Sequence, residues 1–173
     1  MKGNIYLILS FLAIAGCSKT VDCEKTNLIL SFNAKTVDSL SDFTLYRYQR
    51  GSNLGVLIDS LRIINGAGVY FQTVNTSTRV YMQSVDYKIV GAFDWKLHLY
   101  STTVNNGENE IAITNIEEQQ ENMKCKKKNF STYEEGCQCM NPLRSYKLNG
   151  VTGILGSKIE YNQIIGYEVS ISP

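Results

Sequence analysis

The sequence predicts an all-β protein, an immunoglobulin-like β-sandwich with a protruding charged hairpin. Three observations point there. Short runs rich in Tyr, Val, Ile, Thr and Phe recur at roughly ten-residue spacing, as in a sandwich or barrel. Inside them apolar and polar residues alternate: Trp95, Leu97 and Leu99 interleave with Lys96, His98 and Tyr100, and Phe43 and Leu45 with Thr44 and Tyr46. That period of two marks a half-buried strand. Asn-Gly pairs at Asn65-Gly66, Asn106-Gly107 and Asn149-Gly150 suit tight hairpins, because both residues tolerate positive φ.

Taken in order, the apolar run Leu28-Ile29-Leu30 opens a strand over 28–32, and the alternation at Phe43 gives one over 43–48. β-rich runs at 56–64, 69–74, 80–84 and 87–90 follow. The Trp95 segment gives 95–100, and further strands are expected at 111–116, 145–148, 158–161 and 167–171. Pro142 and Pro173 are the only prolines, so little interrupts sheet pairing. Residues 115–128, NIEEQQENMKCKKK, are the one helical candidate. Their apolar residues, Ile116, Met123 and Cys125, form no stripe that burial could support, so an exposed charged hairpin arm is expected instead.

The 173 residues carry 17 Lys plus Arg against 16 Asp plus Glu, with 43% hydrophobic and 19% charged residues. Such a chain builds one core and is too apolar for disorder. A formal charge of +1 gives no global attraction toward nucleic acid, so no nucleic-acid partner is expected.

The first residues read as an address. Lys2 precedes an apolar stretch from Ile5 to Ala15, broken only by Ser10. This is the core of a signal peptide and too short for a bilayer span. It ends in Ile14-Ala15-Gly16-Cys17, an aliphatic residue, two small residues and a cysteine. That order resembles the lipobox of bacterial lipoproteins. The resemblance covers residues 1–17 and implies that the chain is cut before Cys17, which takes a diacylglycerol on its thiol and an acyl chain such as palmitate on its new amino group.

The implied organisation is a signal peptide over 1–16, a short lipid-anchored tether over 17–26 and one β-sandwich domain over 27–173. The membrane is then a partner through the anchor, and the covalent acyl lipid is the only cofactor expected. Ser18, where an Asp often retains such lipoproteins in the inner membrane, leans the placement toward the outer membrane of the cell envelope. Asp22 and Glu24 are too sparse to decide between the periplasmic and the surface face. Residues 18–26 span at most about 30 Å when extended, so the domain should sit close to the membrane.

With Cys17 taken for lipid, Cys23, Cys125, Cys137 and Cys139 remain, an even number suited to disulfides in an exported protein. Four cysteines allow three connectivities. A hairpin bond from Cys125 to Cys139, with Cys23 bonded to Cys137, is narrowly favoured over the choice of Cys137 for the hairpin. The alternative is a zinc or copper site on Cys125, Cys137 and Cys139, with His98 or Cys23. It lacks the Cys-x2-Cys pairs of strong zinc sequences, so no metal site is assigned. Beside Cys125, Lys124, Lys126, Lys127 and Lys128 form a basic tip that can meet lipid phosphate or an acidic partner, or simply keep a hairpin soluble.

No catalytic set emerges, and an enzyme is not expected. His98 is the one histidine, and no Gly-x-Ser-x-Gly elbow, phosphate-cradling glycine loop or dinucleotide fingerprint occurs. Carboxylate pairs for glycan hydrolysis depend on the fold, and Asp86 and Asp94 flank one loop. Tyr46, Tyr48, Tyr81, Tyr87 and Tyr100 lie on or beside strands and form a candidate face for stacking on a sugar or holding a peptide. The expected function is a lipid-anchored, non-enzymatic binding or assembly module of the envelope, with a protein or glycan partner and its oligomeric state left open. The alternatives are an envelope glycan hydrolase using a carboxylate pair and a cysteine-based metal-binding protein.

Overall fold

A computed structural model describes residues 18–33, 40–100, 109–126 and 139–171. They form fourteen strands: β1 Ser18–Asp22, β2 Asn27–Asn33, β3 Phe43–Gln49, β4 Leu57–Ile63, β5 Val69–Val74, β6 Ser77–Met82 and β7 Ile89–Val90, then β8 Phe93–Leu99, β9 Glu110–Glu118, β10 Asn122–Lys126, β11 Leu143–Leu148, β12 Val151–Thr152, β13 Lys158–Tyr161 and β14 Ile164–Ile171. A single 3-10 turn, Val85–Tyr87, precedes β7, and no α-helix occurs among the described residues. The protein is all-β, as its alternating pattern predicts.

The strands assemble into two large sheets and one small one. The first has the order β12-β11-β9-β8-β3-β4. The second has the order β13-β14-β2-β6-β5, with β7 also pairing with β2. The alternation decides which side chains each sheet turns inward. Leu28, Leu30 and Phe32 of β2, Val80 and Met82 of β6, and Val169 and Ile171 of β14 join one hydrophobic cluster. Phe43 and Leu45 of β3, Trp95, Leu97 and Leu99 of β8, and Ile111 and Ile113 of β9 complete it from the other sheet. Trp95 is fully buried at its centre and donates its indole N–H to the Val90 carbonyl at 3.0 Å. A buried indole needs that acceptor, because an unpaired N–H in such a core costs about 1–3 kcal/mol.

Several connections depart from the sequence expectations. Asn65 and Gly66 have positive φ, 51° and 68°, but they join β4 to β5 in different sheets and do not close a hairpin. Asn149-Gly150 does turn β11 into β12, with φ of 50° and 82°. Asn106-Gly107 lies outside the described residues. The β13–β14 hairpin turns instead on Asn162 and Gln163, at φ 48° and 66°, without glycine.

The expected charged hairpin is also replaced. Residues 110–118 are β9, paired with β8 and β11, whereas 122–126 are β10, paired with β1 in a separate two-stranded sheet. Two β-strands with a three-residue link therefore enter different sheets. The physical reason lies in their faces: Ile111, Ile113 and Ile116 give β9 a buried side in the main core, which the mostly exposed β10 lacks. β1 falls within the residues read as the tether.

The cysteine pairing is corrected as well. Cys23 is bonded to Cys139, with a Cα separation of 4.7 Å, so Cys139 does not bond Cys125 and Cys23 does not bond Cys137. The chain around Glu24 runs beside Met140, with Glu24 N–H donating to the Cys139 carbonyl at 2.9 Å and Asn141 N–H to the Glu24 carbonyl at 2.8 Å. This backbone ladder brings Cys23 to Cys139 before any sulfur chemistry is considered. Cys125 is buried and disulfide-bonded too. Cys17, Cys137, Lys127 and Lys128 lie outside the described residues.

Candidate functional site

The outer face of the first sheet collects most of the exposed chemistry. Strand parity puts Thr44, Tyr46 and Tyr48 of β3 on this face, because Phe43 and Leu45 point into the core. Register then sets their neighbours. Thr44 pairs with His98 and with Arg62, Tyr46 with Lys96 and with Ser60, and His98 with Glu110. Tyr100, just past β8, reaches back so that its hydroxyl lies 2.9 Å from Thr44 Oγ1.

The side chains interlock. The Arg62 guanidinium lies over the Tyr100 ring at 4.9 Å, and the His98 ring meets Tyr100 edge-on at 4.7 Å. Lys96 Nζ stands 2.6 Å from Glu110, whose other oxygen is 3.4 Å from His98 Nδ1. The hydrogen bond and charge of Lys96 hold the Glu110 carboxyl below its ordinary range, against some burial, and His98 adds to the effect. Burial pushes the Tyr46 phenol up, and the neighbouring Tyr100 reinforces the shift. The face thus offers aromatic edges and a guanidinium.

At the side of this face lies β4, one of the sheet's two terminal strands among the described residues. Leu57 and Ile58 are about half exposed, as are Val56 and Ile64 just beyond its ends. A strand end with several apolar side chains in water is unusual, because edges are ordinarily short, charged or covered.

Two of the five candidate tyrosines do not belong to this face. Tyr81 is only 1% exposed and lies in the second sheet, its hydroxyl donating to Gln72 at 2.7 Å and its ring 5.0 Å from Tyr161. Tyr87 packs partly buried against the core beneath Arg47. Val80 and Met82 point into the core, so Tyr81 lies on the outer side of its sheet, where Gln72 and Tyr161 pack against it. Arg62, Lys96, Thr44 and Glu110 were missed. The signal that marks them is the same alternation that marks Tyr46, extended across the β3–β4, β3–β8 and β8–β9 pairings.

The other candidates are placed as follows. Asp94 is buried and accepts the Gly51 N–H at 2.8 Å and the Asn115 N–H at 3.3 Å, so it ties the β3–β4 loop to β9. Asp86 contributes its backbone carbonyl to Arg47 at 3.0 Å. Arg47 itself forks onto Asp59 of β4, its register partner. A polar cleft beside Cys139 brings two carboxylates together, Glu24 and Glu160, among Lys25, Lys88 and Lys158. Glu24 lies 3.7 Å from Lys88 there. Cys23, Cys125 and Cys139 are all in disulfides, so the thiolates that a cysteine metal site needs are not on offer from them. Lys124 is exposed on β10.

Comparison with protein-family models, curated proteins and solved structures returns no match to this chain.

Proposed function

We propose that this protein is a lipid-anchored module of the cell envelope that binds another protein through the β3–β4–β8 face and the outer edge of β4, which among the described residues pairs with β3 alone. The observation that carries the binding reading is β4: a seven-residue terminal strand with half-exposed Leu57 and Ile58, continuous with the Arg62–Tyr100–His98 cluster. Unpaired backbone groups along such an edge accept an added strand, and alternate side chains supply specificity. Aromatic and arginine residues beside it are the types that dominate binding hot spots.

The anchor follows from the lipobox-like Ile14-Ala15-Gly16-Cys17, with the outer membrane as its location. An immunoglobulin-like sandwich is the architecture this reading adopts. Two sheets sharing one core around Trp95 support it, whereas the cysteines do not flank that tryptophan as they do in antibody domains.

The test is an in-cell crosslinking pull-down with the full-length chain and with an Ile58→Lys, Tyr100→Ala variant. A specific partner lost from the variant, with folding unchanged, supports the reading. An identical partner set from both chains overturns it.

A second reading is glycan hydrolysis in the cleft that holds Glu24 and Glu160. Two carboxylates in one cleft are its motivation, but Glu24 already faces Lys88. Unchanged glycan turnover by a Glu24→Gln, Glu160→Gln variant would remove it.

A further inference from the structure

The β1–β10 pairing sets lysines opposite the first described residues of the chain. Ser18, the residue after Cys17, pairs with Lys126, and Thr20 pairs with Lys124. Lys19 occupies the position opposite Cys125, which is buried and bonded. Asp22 pairs with Asn122, Cys23 N–H donates to the Glu121 carbonyl at 2.9 Å, and Glu118 accepts the Thr26 N–H at 2.5 Å. Lysines thus stand at the Ser18 end of the arm and Asp22 near the Cys23 end, where Glu24 and Glu160 share the adjoining cleft with Lys25, Lys88 and Lys158.

We propose that this arm is an electrostatic clasp, its Ser18 end resting on the anionic phospholipid headgroups of the membrane that holds the acyl chains. The proposal rests on the reading of Cys17 as the lipidated residue. The occupant follows from position: an acyl chain on Cys17 puts Ser18 at the headgroup layer, and the register puts Lys126 beside it. Lys124 follows two residues behind, exposed to water. Four residues of extended strand carry Asp22 about 13 Å farther out. That exceeds the Debye length of about 8 Å at physiological salt, so repulsion of the carboxylates is screened while the lysines are in reach. Each lysine at such a surface gives about a five-fold gain, the equivalent of about 1 kcal/mol.

The disulfide from Cys23 to Cys139 fixes the Cys23 end of the arm to the body, so the clasp also sets which end of the domain faces the bilayer. Without it the anchor alone would leave the domain free to turn about its attachment.

The experiment uses the protein purified from its native envelope and reconstituted into vesicles of phosphatidylcholine, with or without phosphatidylglycerol. A water-soluble amine-acylating reagent is added, and labelling of each lysine is followed by peptide mass spectrometry. Lys124 should be labelled about five-fold more slowly on the anionic vesicles, and high salt should erase the difference. Lys147 and Lys158, exposed on the body, should react equally on both. Equal rates for Lys124 on the two vesicle types overturn the clasp, and so does protection that salt does not change. Intact mass of the same sample separates the two readings. An acylated chain with equal rates removes the clasp alone, whereas a chain without acyl mass removes the anchor and the clasp together.

Discussion

Removing the Cys23–Cys139 bond tests how this fold is held, and its effect can be worked from the chain separation of 116 residues. In the chain-entropy model, closing a loop of that length removes about 16 cal/mol/K from the unfolded chain, or about 4.9 kcal/mol at 25 °C. The native contacts around the bond do not depend on it. Glu24 and Asn141 keep their backbone hydrogen bonds, and Thr26 Oγ1 still donates to the Asn141 carbonyl at 2.7 Å. A Cys23→Ser, Cys139→Ala variant should therefore fold to the same core but lose about 4–5 kcal/mol, with Tm falling by roughly 10–20 °C.

The natural assay is urea unfolding followed by the fluorescence of Trp95, the single tryptophan, which is fully buried. The slope against urea should rise, because an uncrosslinked unfolded chain exposes more surface. Amide exchange in β1 should quicken while β8 stays protected. A loss below about 1 kcal/mol with an unchanged slope would refute the reasoning, since it would mean that the unfolded chain is not restrained by this bond.

Other expectations follow from single contacts. Arg79 forks onto Glu168 at 3.0 and 2.9 Å, bridging β6 and β14 across β2, and both side chains are about four-fifths buried. The Arg79 hydrogen bond, working against burial, holds the Glu168 carboxyl below its ordinary range. Its stabilisation is then complete above the unfolded value, about pH 4.3, and is lost as pH falls through the lower folded value. Glu168→Gln should cost about 2 kcal/mol at pH 7, and the gap to wild type should narrow in acid, as read by urea midpoints across pH. Trp95→Ala should cost about 3–5 kcal/mol in the same measurement, through the cavity and the orphaned Val90 carbonyl. Gly156→Ala should cost about 3 kcal/mol, because its Cβ would fall on the backbone carbonyl of Glu168; a midpoint equal to wild type would count against the close approach of the segment before β13 to β14.

Much of the fold was legible because strand formation is local. Each run that alternates in the sequence is a strand in the structure, and Trp95, Leu97 and Leu99 take the core side that their spacing assigns. β1 and the two-residue β12 escaped notice, and β10 was expected only as part of a hairpin arm over 115–128, for the complementary reason: SKTVD and NMKCK carry no apolar alternation, and pairing with each other makes them strands. Of the candidate site, Tyr46, Tyr48 and Tyr100 were legible, but Arg62 and Glu110 join them only through register. Tyr81 shows the limit of parity, which assigns a side of the sheet but not what covers it.

The division between sequence and tertiary structure is one of range. The sequence by itself determined the all-β class, the balanced charge, the lipobox-like start and the inward faces of β3 and β8, because these depend on neighbours within a few residues. Only the tertiary structure decided that β14 runs parallel to β2, that Cys23 meets Cys139 and that Lys126 stands beside Ser18. Those pairings bring together segments about a hundred residues apart or more, and backbone groups are alike at every position. The choice among partners is made by which arrangement buries every apolar face at once, and no short stretch of sequence contains that comparison.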